Sequence, residues 1–197
     1  MSENIPAKRL LVTGTTGGIG GAVRDVARKK GWDVVELNRA DWEDRACARP
    51  LVGPFDAVVF ATGTCPVVPL TALTDETFAL TLAVNCGLFV RLMRRIVREC
   101  LAASTGMKVL AVSSVSAVEG WPGGSAYCAS KGALSAVCRA LDAELKPRKI
   151  SVVALEPRYV KTRMFDRCAG RMGVDPKQAQ DPKDLAEEIL VRLLDNV

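Results

Sequence analysis

The stretch Leu10–Leu11–Val12–Thr13–Gly14–Thr15–Thr16–Gly17–Gly18–Ile19–Gly20 constrains this chain more than any other. An apolar run of this length reads as a buried strand, and a helical stretch begins at Ile19 directly after the glycines. Gly14, Gly18 and Gly20 admit backbone angles closed to other residues and let main chain approach a ligand closely. The N–H groups of the first helical turn then offer a receptor for a pyrophosphate. A tight strand-to-helix turn without a ligand is the plainer reading. Four glycines in seven residues directly after a strand favour a nucleotide.

The same alternation runs through the chain. Strands are expected over Arg9–Val12, Trp32–Leu37, Asp56–Ala61, Lys108–Ser113 and Ile150–Leu155. Helices are expected over Ile19–Lys30, about Asp75–Ala103, Ser125–Lys146 and Pro182–Leu194. Continuous Val/Leu/Ala strands, each followed by a helix, imply an α/β fold. It is read as a single doubly wound, Rossmann-like parallel sheet with helices on both faces. At 197 residues, 49% of them hydrophobic, one domain spanning 1–197 is expected.

Histidine is absent, which excludes Ser-His-Asp triads, Cys-His nucleophiles and imidazole metal sites. Acid–base chemistry must come from Tyr, Lys, Cys or carboxylates. The net charge of +5 is spread evenly, so nucleic acid is not expected as a partner. No apolar run approaches 18 uncharged residues and no signal peptide precedes Lys8, so no membrane partner is expected. Seven cysteines without a C-x-x-C pair suggest reduced thiols and a cytoplasmic protein.

The second strand ends at Leu37–Asn38–Arg39, where dinucleotide folds place an acid for the ribose hydroxyls. Asn38 is neutral and Arg39 suits a 2′-phosphate, so NADP(H) is favoured over NAD(H). An ordinary surface arginine is the plainer reading.

Tyr127 and Lys131 sit four residues apart at the start of a helix rich in small residues, so both project to one side. A nearby cation stabilises phenolate and lowers its pKa from about 10. Taken alone, Y-x-x-x-K is a common surface pair. Here the strand Val109–Val112 ends in Ser113 and Ser114, at the sheet end where ligands bind.

Together, the T-G-x-x-x-G-I-G turn, the serines at the strand end and Y-x-x-x-K resemble the short-chain dehydrogenase/reductase family, from about Lys8 to Thr162. The resemblance implies Tyr127 as catalytic acid/base and Lys131 as the residue that holds the nicotinamide ribose and lowers the tyrosine pKa. It implies Ser114 as the residue orienting the substrate oxygen, and Asn85 as support for a proton-relay water. Cofactor contacts implied are Gly14, Thr16, Gly18, Ile19, Gly20, Arg39, Asp41, Ala61, Gly63, Tyr127, Lys131, Pro157, Val160 and Thr162. The implied chemistry is hydride transfer between NADP(H) and a carbonyl or secondary alcohol, without a metal. A homodimer or homotetramer is implied as well.

The chain also departs from the family pattern. Phe60–Ala61–Thr62–Gly63 stands where N-N-A-G is usual, and Arg158 follows Pro157 where glycine is usual. Little room remains between Arg39 and Phe55 for the usual helix and third strand, and the sequence stops at Val197, before the usual last strand. The short segment between Thr162 and Asp181 predicts an open, shallow substrate pocket, or one completed by a neighbouring subunit. Arg91, Arg94, Arg95 and Arg98 form one helix face, read as solvated or as part of a subunit boundary. From Lys146 to Arg171 eight basic residues face only Glu156 and Asp166. That excess raises a 3-oxoacyl-thioester reductase, acting on an acyl carrier protein or coenzyme A, as one alternative. An NADP(H)-binding sensor without turnover is the alternative of another class.

Overall fold

Alternation along each strand sends side chains to two faces. Leu11, Val58, Phe60, Val109, Ala111, Ile150 and Val152 belong to one apolar cluster. Leu10, Val12, Ala57, Val59, Leu110, Val112 and Leu155 belong to another. The computed structural model describes residues 7–38, 41, 51 and 53–194. Its strands β1 (Arg9–Thr13), β2 (Asp33–Leu37), β3 (Ala57–Phe60), β4 (Met107–Val112) and β5 (Ile150–Leu155) form one parallel sheet in the order β2-β1-β3-β4-β5. The α/β, doubly wound reading is therefore correct, and the sheet has five strands among the described residues.

Two helices cover the first face. Helix α2 (Asp75–Ala102) contributes Leu88, Phe89, Leu92, Met93, Ile96 and Cys100. Helix α3 (Ser125–Leu145) contributes Leu134, Cys138 and Leu145. The opposite face is covered by α1 (Gly18–Lys29), through Val23, Val26 and Ala27, and by α5 (Pro182–Leu194), through Leu185, Ile189, Leu190 and Leu193. In length and composition α2 could cross a bilayer, but its apolar stripe is occupied by the sheet. Arg91, Arg94 and Arg98 lie on its exposed side.

Two elements were not legible from periodicity. Residues 163–172, expected only as a short lid segment, form a helix, α4 (Arg163–Met172), capped by the Thr162 hydroxyl accepting from Phe165 N at 3.2 Å. Within α2, Ala83–Gly87 widens into a π-helical turn. Such turns insert one residue into a helix and often mark functional positions.

The sheet order reverses between β1 and β3, and the glycine-rich turn is built against that point. Gly14 has φ +70°, and its N–H donates to Leu37 O at the end of β2 (3.0 Å). A Cβ on Gly14 would lie 2.8 Å from Ala61 O at the end of β3. A Cβ on Gly20 would lie 2.7 Å from Gly14 C and 2.9 Å from Thr13 O, both backbone atoms. Gly20→Ala is therefore expected to destabilise the fold by about 2 kcal/mol through overpacking, measured by chemical denaturation.

Candidate active site

The carboxyl ends of all five strands contribute to one crevice. At β1, helix α1 opens at Gly18 with neither a side-chain cap on Gly17 nor an acid in its first turn. Its first N–H groups lack helical partners by construction, and the helix dipole adds positive character. Thr16, Gly17 and Gly18 are exposed, and Ile19, in the first turn of α1, packs inward against the apolar cluster on that face of the sheet. This bare, glycine-lined helix start fits an anionic pyrophosphate.

Beside it, Thr15 is buried and its hydroxyl bonds the Glu36 carboxylate. Asn38 Nδ2 donates to the same Thr15 oxygen at 2.9 Å. Glu36 also pairs with Arg28 at 2.8 Å and with Arg24 at 3.6 Å. The Thr15 bond, followed by the two guanidinium groups, holds Glu36 below the usual carboxylate range. Sequence reasoning looked for an acid at position 38 and overlooked Glu36, two residues earlier on β2. Asp41 turns back on the strand end, accepting from Asn38 N at 2.7 Å. Arg39 lies outside the described residues.

The loop after β3 is held by Thr13, whose hydroxyl accepts from Ala61 N (3.1 Å) and Thr62 N (3.2 Å). Thr13 and Thr62 thus brace the loop where the family's asparagines would stand. Gly63 faces the catalytic end: a Cβ there would lie 3.4 Å from Asn85 Oδ1 and 3.7 Å from Lys131 Nζ. Asn85 is fully buried in the π-helical turn. Its Nδ2 donates to Thr64 O (2.9 Å) and Ser130 Oγ (2.8 Å), and its Oδ1 accepts from Thr64 N (2.7 Å). Both amide hydrogens thus clamp the β3 loop to α3.

Beyond β4, Ser114 Oγ accepts from Ser116 N at 3.1 Å and lies close enough to the Tyr127 phenol to favour its ionised form. Ser113 turns away, donating to Lys131 O at 3.1 Å. Lys131 is buried, with Nζ donating to Val112 O (2.7 Å) and lying 5.7 Å from the Tyr127 ring centroid. Burial pushes its ammonium down to about 8. Trp121 flanks the other side of Tyr127, the two ring centroids 6.4 Å apart.

The phenol departs from the expectation that Lys131 lowers its pKa. Burial pushes Tyr127 well above its ordinary value, and only the nearby Ser114 hydroxyl offsets this. Lys131 gives a hydrogen bond to a carbonyl rather than to the phenol, which explains the difference. A protonated phenol beside a serine hydroxyl can donate a proton to an oxygen placed between them.

After β5, Pro157 O accepts from Val115 N (3.1 Å), and Val160 is buried and bridges Gln180. Thr162 stands against the glycine turn: a Cβ on Gly18 would lie 2.5 Å from its Cγ2. Arg158 extends across the mouth to Glu119, Nη2 to Oε1 3.0 Å.

Comparison with known proteins matches residues 45–171 to the family described as short chain dehydrogenase. L-xylulose reductase of Bos taurus is 28% identical over 186 residues, covering 83% of this chain and 76% of that protein. The 3-oxoacyl-acyl-carrier-protein reductase FabG of Rickettsia conorii is 25% identical over 187 residues, covering 83% and 77%. A solved structure of a 4-hydroxyisoleucine dehydrogenase mutant with NADH and succinate superposes with a TM-score of 0.83 at 19% identity, covering 95% of this chain and 91% of that one.

Proposed function

The chain belongs to the short-chain dehydrogenase family, and from that premise we propose that it reduces a carbonyl substrate to a secondary alcohol, with Tyr127 donating the proton. As a family member it is an oxidoreductase, working with a nicotinamide cofactor on carbonyl or alcohol compounds. The observation that carries the assignment is a half-buried, protonated Tyr127 with the Ser114 hydroxyl acting on its phenol and Lys131 Nζ 5.7 Å from its ring centroid.

Bound at the crevice, the dinucleotide supplies the hydride. The α1 N-terminus and glycines 14, 18 and 20 receive its pyrophosphate, with Thr16, Ile19 and Ala61 at the rim. Gly63, Pro157, Val160 and Thr162 line the approach to the reacting end. Ser114 holds the substrate oxygen, and Tyr127 delivers a proton to it as negative charge develops. Lys131 keeps the charge at this end positive and holds the ribose. Asn85 fixes the β3 loop against α3, which keeps Gly63 and Lys131 in register, and an adjoining water completes the relay.

The proposed preference for NADP(H) rests on a neutral Asn38 followed by Arg39. The carboxylate nearest the turn, Glu36, is already neutralised by Arg24 and Arg28, which reduces its repulsion of a 2′-phosphate. Asp41 contributes to the adenosine side through its hold on Asn38. The basic stretch Lys146–Arg171 keeps a 3-oxoacyl thioester as the second substrate class. The same reading takes the protein to be cytoplasmic and a homodimer or homotetramer, with exposed Phe78 and Leu80 on α2 available to a second copy.

Spectrophotometric oxidation of NADPH and NADH across ketones, aldehydes and 3-oxoacyl thioesters tests this assignment. The expected result is turnover with at least one carbonyl class and a kcat/KM at least tenfold higher with NADPH. Cofactor binding without turnover on any class would favour a sensor instead.

A further inference from the structure

The loop after β3 and helix α4 meet through sulfur. Cys65 and Cys168 are 103 residues apart in sequence, yet their Sγ atoms share a hydrogen bond at 3.4 Å. Both are free thiols; Cys168 is buried on the inner side of α4, and Cys65 is half-buried. A second contact reinforces the junction, Arg171 Nη1 donating to Val67 O at 3.3 Å. Otherwise α4 rests on a small apolar group of Phe165, Ala169, Ala179, Tyr159 and Val174, separate from the two clusters that hold the sheet. A helix held by so few apolar contacts belongs to the low-stability part of a fold and can open locally.

The position gives the junction a consequence. Helix α4 is capped by Thr162, whose methyl group stands against Gly18 of the glycine turn. Cys65 follows Thr64, the residue clamped by Asn85. Movement of α4 away from the β3 loop therefore widens the crevice over both the glycine turn and the Tyr127 end.

We propose that Cys65 and Cys168 are a reversible oxidation site, whose disulfide fixes α4 on the β3 loop and slows exchange through the crevice. The effect on turnover rests on the function proposed above; formation of the bond does not. With hydrogen peroxide as oxidant, the Cys168 thiolate attacks one peroxide oxygen, breaking the O–O bond and releasing hydroxide. The resulting sulfenic acid is attacked by the Cys65 sulfur, which forms the S–S bond and expels the second oxygen as hydroxide. The two thiol protons convert both hydroxides to water, so two thiols and one peroxide give one disulfide and two waters. A dithiol reverses the reaction by exchange, becoming a disulfide itself.

The pair is suited to this order of events. Once Cys168 ionises, Cys65 donates a hydrogen bond to it, which holds the Cys168 thiol below its ordinary value against the opposing effect of burial. The neighbouring Arg167 acts in the same direction. A thiol favoured as its thiolate, in contact with a second thiol and on a helix that can open locally, is the arrangement of a redox-responsive cysteine with its resolving partner.

The test uses the full chain treated with hydrogen peroxide and then with dithiothreitol. Non-reducing peptide mapping by mass spectrometry is expected to recover a Cys65–Cys168 linked peptide that disappears on reduction. Tryptic cleavage after Arg167 and Arg171 is expected to slow at least tenfold in the oxidised form, with kcat falling by a similar factor and recovering on reduction. Cys168→Ser is expected to keep the reduced protein's activity and lose the response. Oxidation of other cysteines without this linked peptide would overturn the proposal, and so would a linked peptide that leaves both proteolysis and turnover unchanged. Mapping and proteolysis on the unaltered chain depend neither on the variant's folding nor on any substrate, so failure of the reductase assignment leaves the oxidation site separately decided.

Discussion

Tyr127→Phe is expected to lower kcat for carbonyl reduction by about a thousandfold, within the range contributed by a positioned acid. Phenylalanine keeps the ring, its position 6.4 Å from Trp121 and the cation contact with Lys131, and removes only the hydroxyl. Cofactor affinity should therefore hold, since the glycine turn and the α1 N-terminus follow β1 and make no use of the phenol. The proton lost is one the protein is built to retain. Burial keeps Tyr127 protonated well beyond neutral pH, the state needed by a donor in the reductive direction. Ser114→Ala should show a smaller loss, because the substrate oxygen would keep one of its two partners. Single-turnover kinetics with bound cofactor measure both variants. A Tyr127→Phe protein that turned over at the wild-type rate would remove Tyr127 from the reaction.

Why some of this site was legible in the sequence and some was not follows from the kind of interaction involved. Strand and helix positions were readable because burial on two faces writes a continuous apolar pattern; β5 and α5 lie within a residue of their expected bounds. Gly14 and Gly20 were readable because only glycine tolerates those approaches to Ala61, Thr13 and Gly14. Tyr127 and Lys131 were readable because a helix fixes the geometry of residues four apart. Their pKa shifts were not, since burial is a property of the whole crevice and overrode the expected effect of the lysine on the phenol. Glu36 was missed because its significance lies in Thr15, Arg24 and Arg28, which come from two other elements. The Cys65–Cys168 contact was missed for the same reason: a separation of 103 residues leaves no spacing to read. Helix α4 escaped notice because its apolar side is short and packs on its own small group of residues rather than on the sheet.

Lys131→Met is expected to abolish measurable reduction and at the same time make the protein more stable. Lys131 falls from an ordinary 10.5 to about 8 because its ammonium is buried. At about 1.36 kcal/mol per unit, the charged form costs about 3 kcal/mol at neutral pH. Methionine fills a similar volume without charge but leaves Val112 O without its partner, which costs about 1 kcal/mol. The net gain is about 2 kcal/mol at pH 7, a rise of about 4–8 °C in Tm for a chain of this size. The sign with pH follows from proton binding. Between about 8 and 10.5 the unfolded chain holds the lysine proton and the folded protein has released it, so this group's penalty is relieved as pH rises. The raised phenol of Tyr127 acts in the opposite sense only above about 10, and the raised thiols of Cys86 and Cys128 are common to both proteins. The stability difference between variant and wild type should therefore shrink from about 2 kcal/mol at pH 7 to nearly nothing at pH 10. Denaturant unfolding at the two pH values measures it. A variant less stable than wild type at pH 7 would mean that the Val112 hydrogen bond outweighs the burial of the charge, and that Lys131 stabilises the fold rather than straining it.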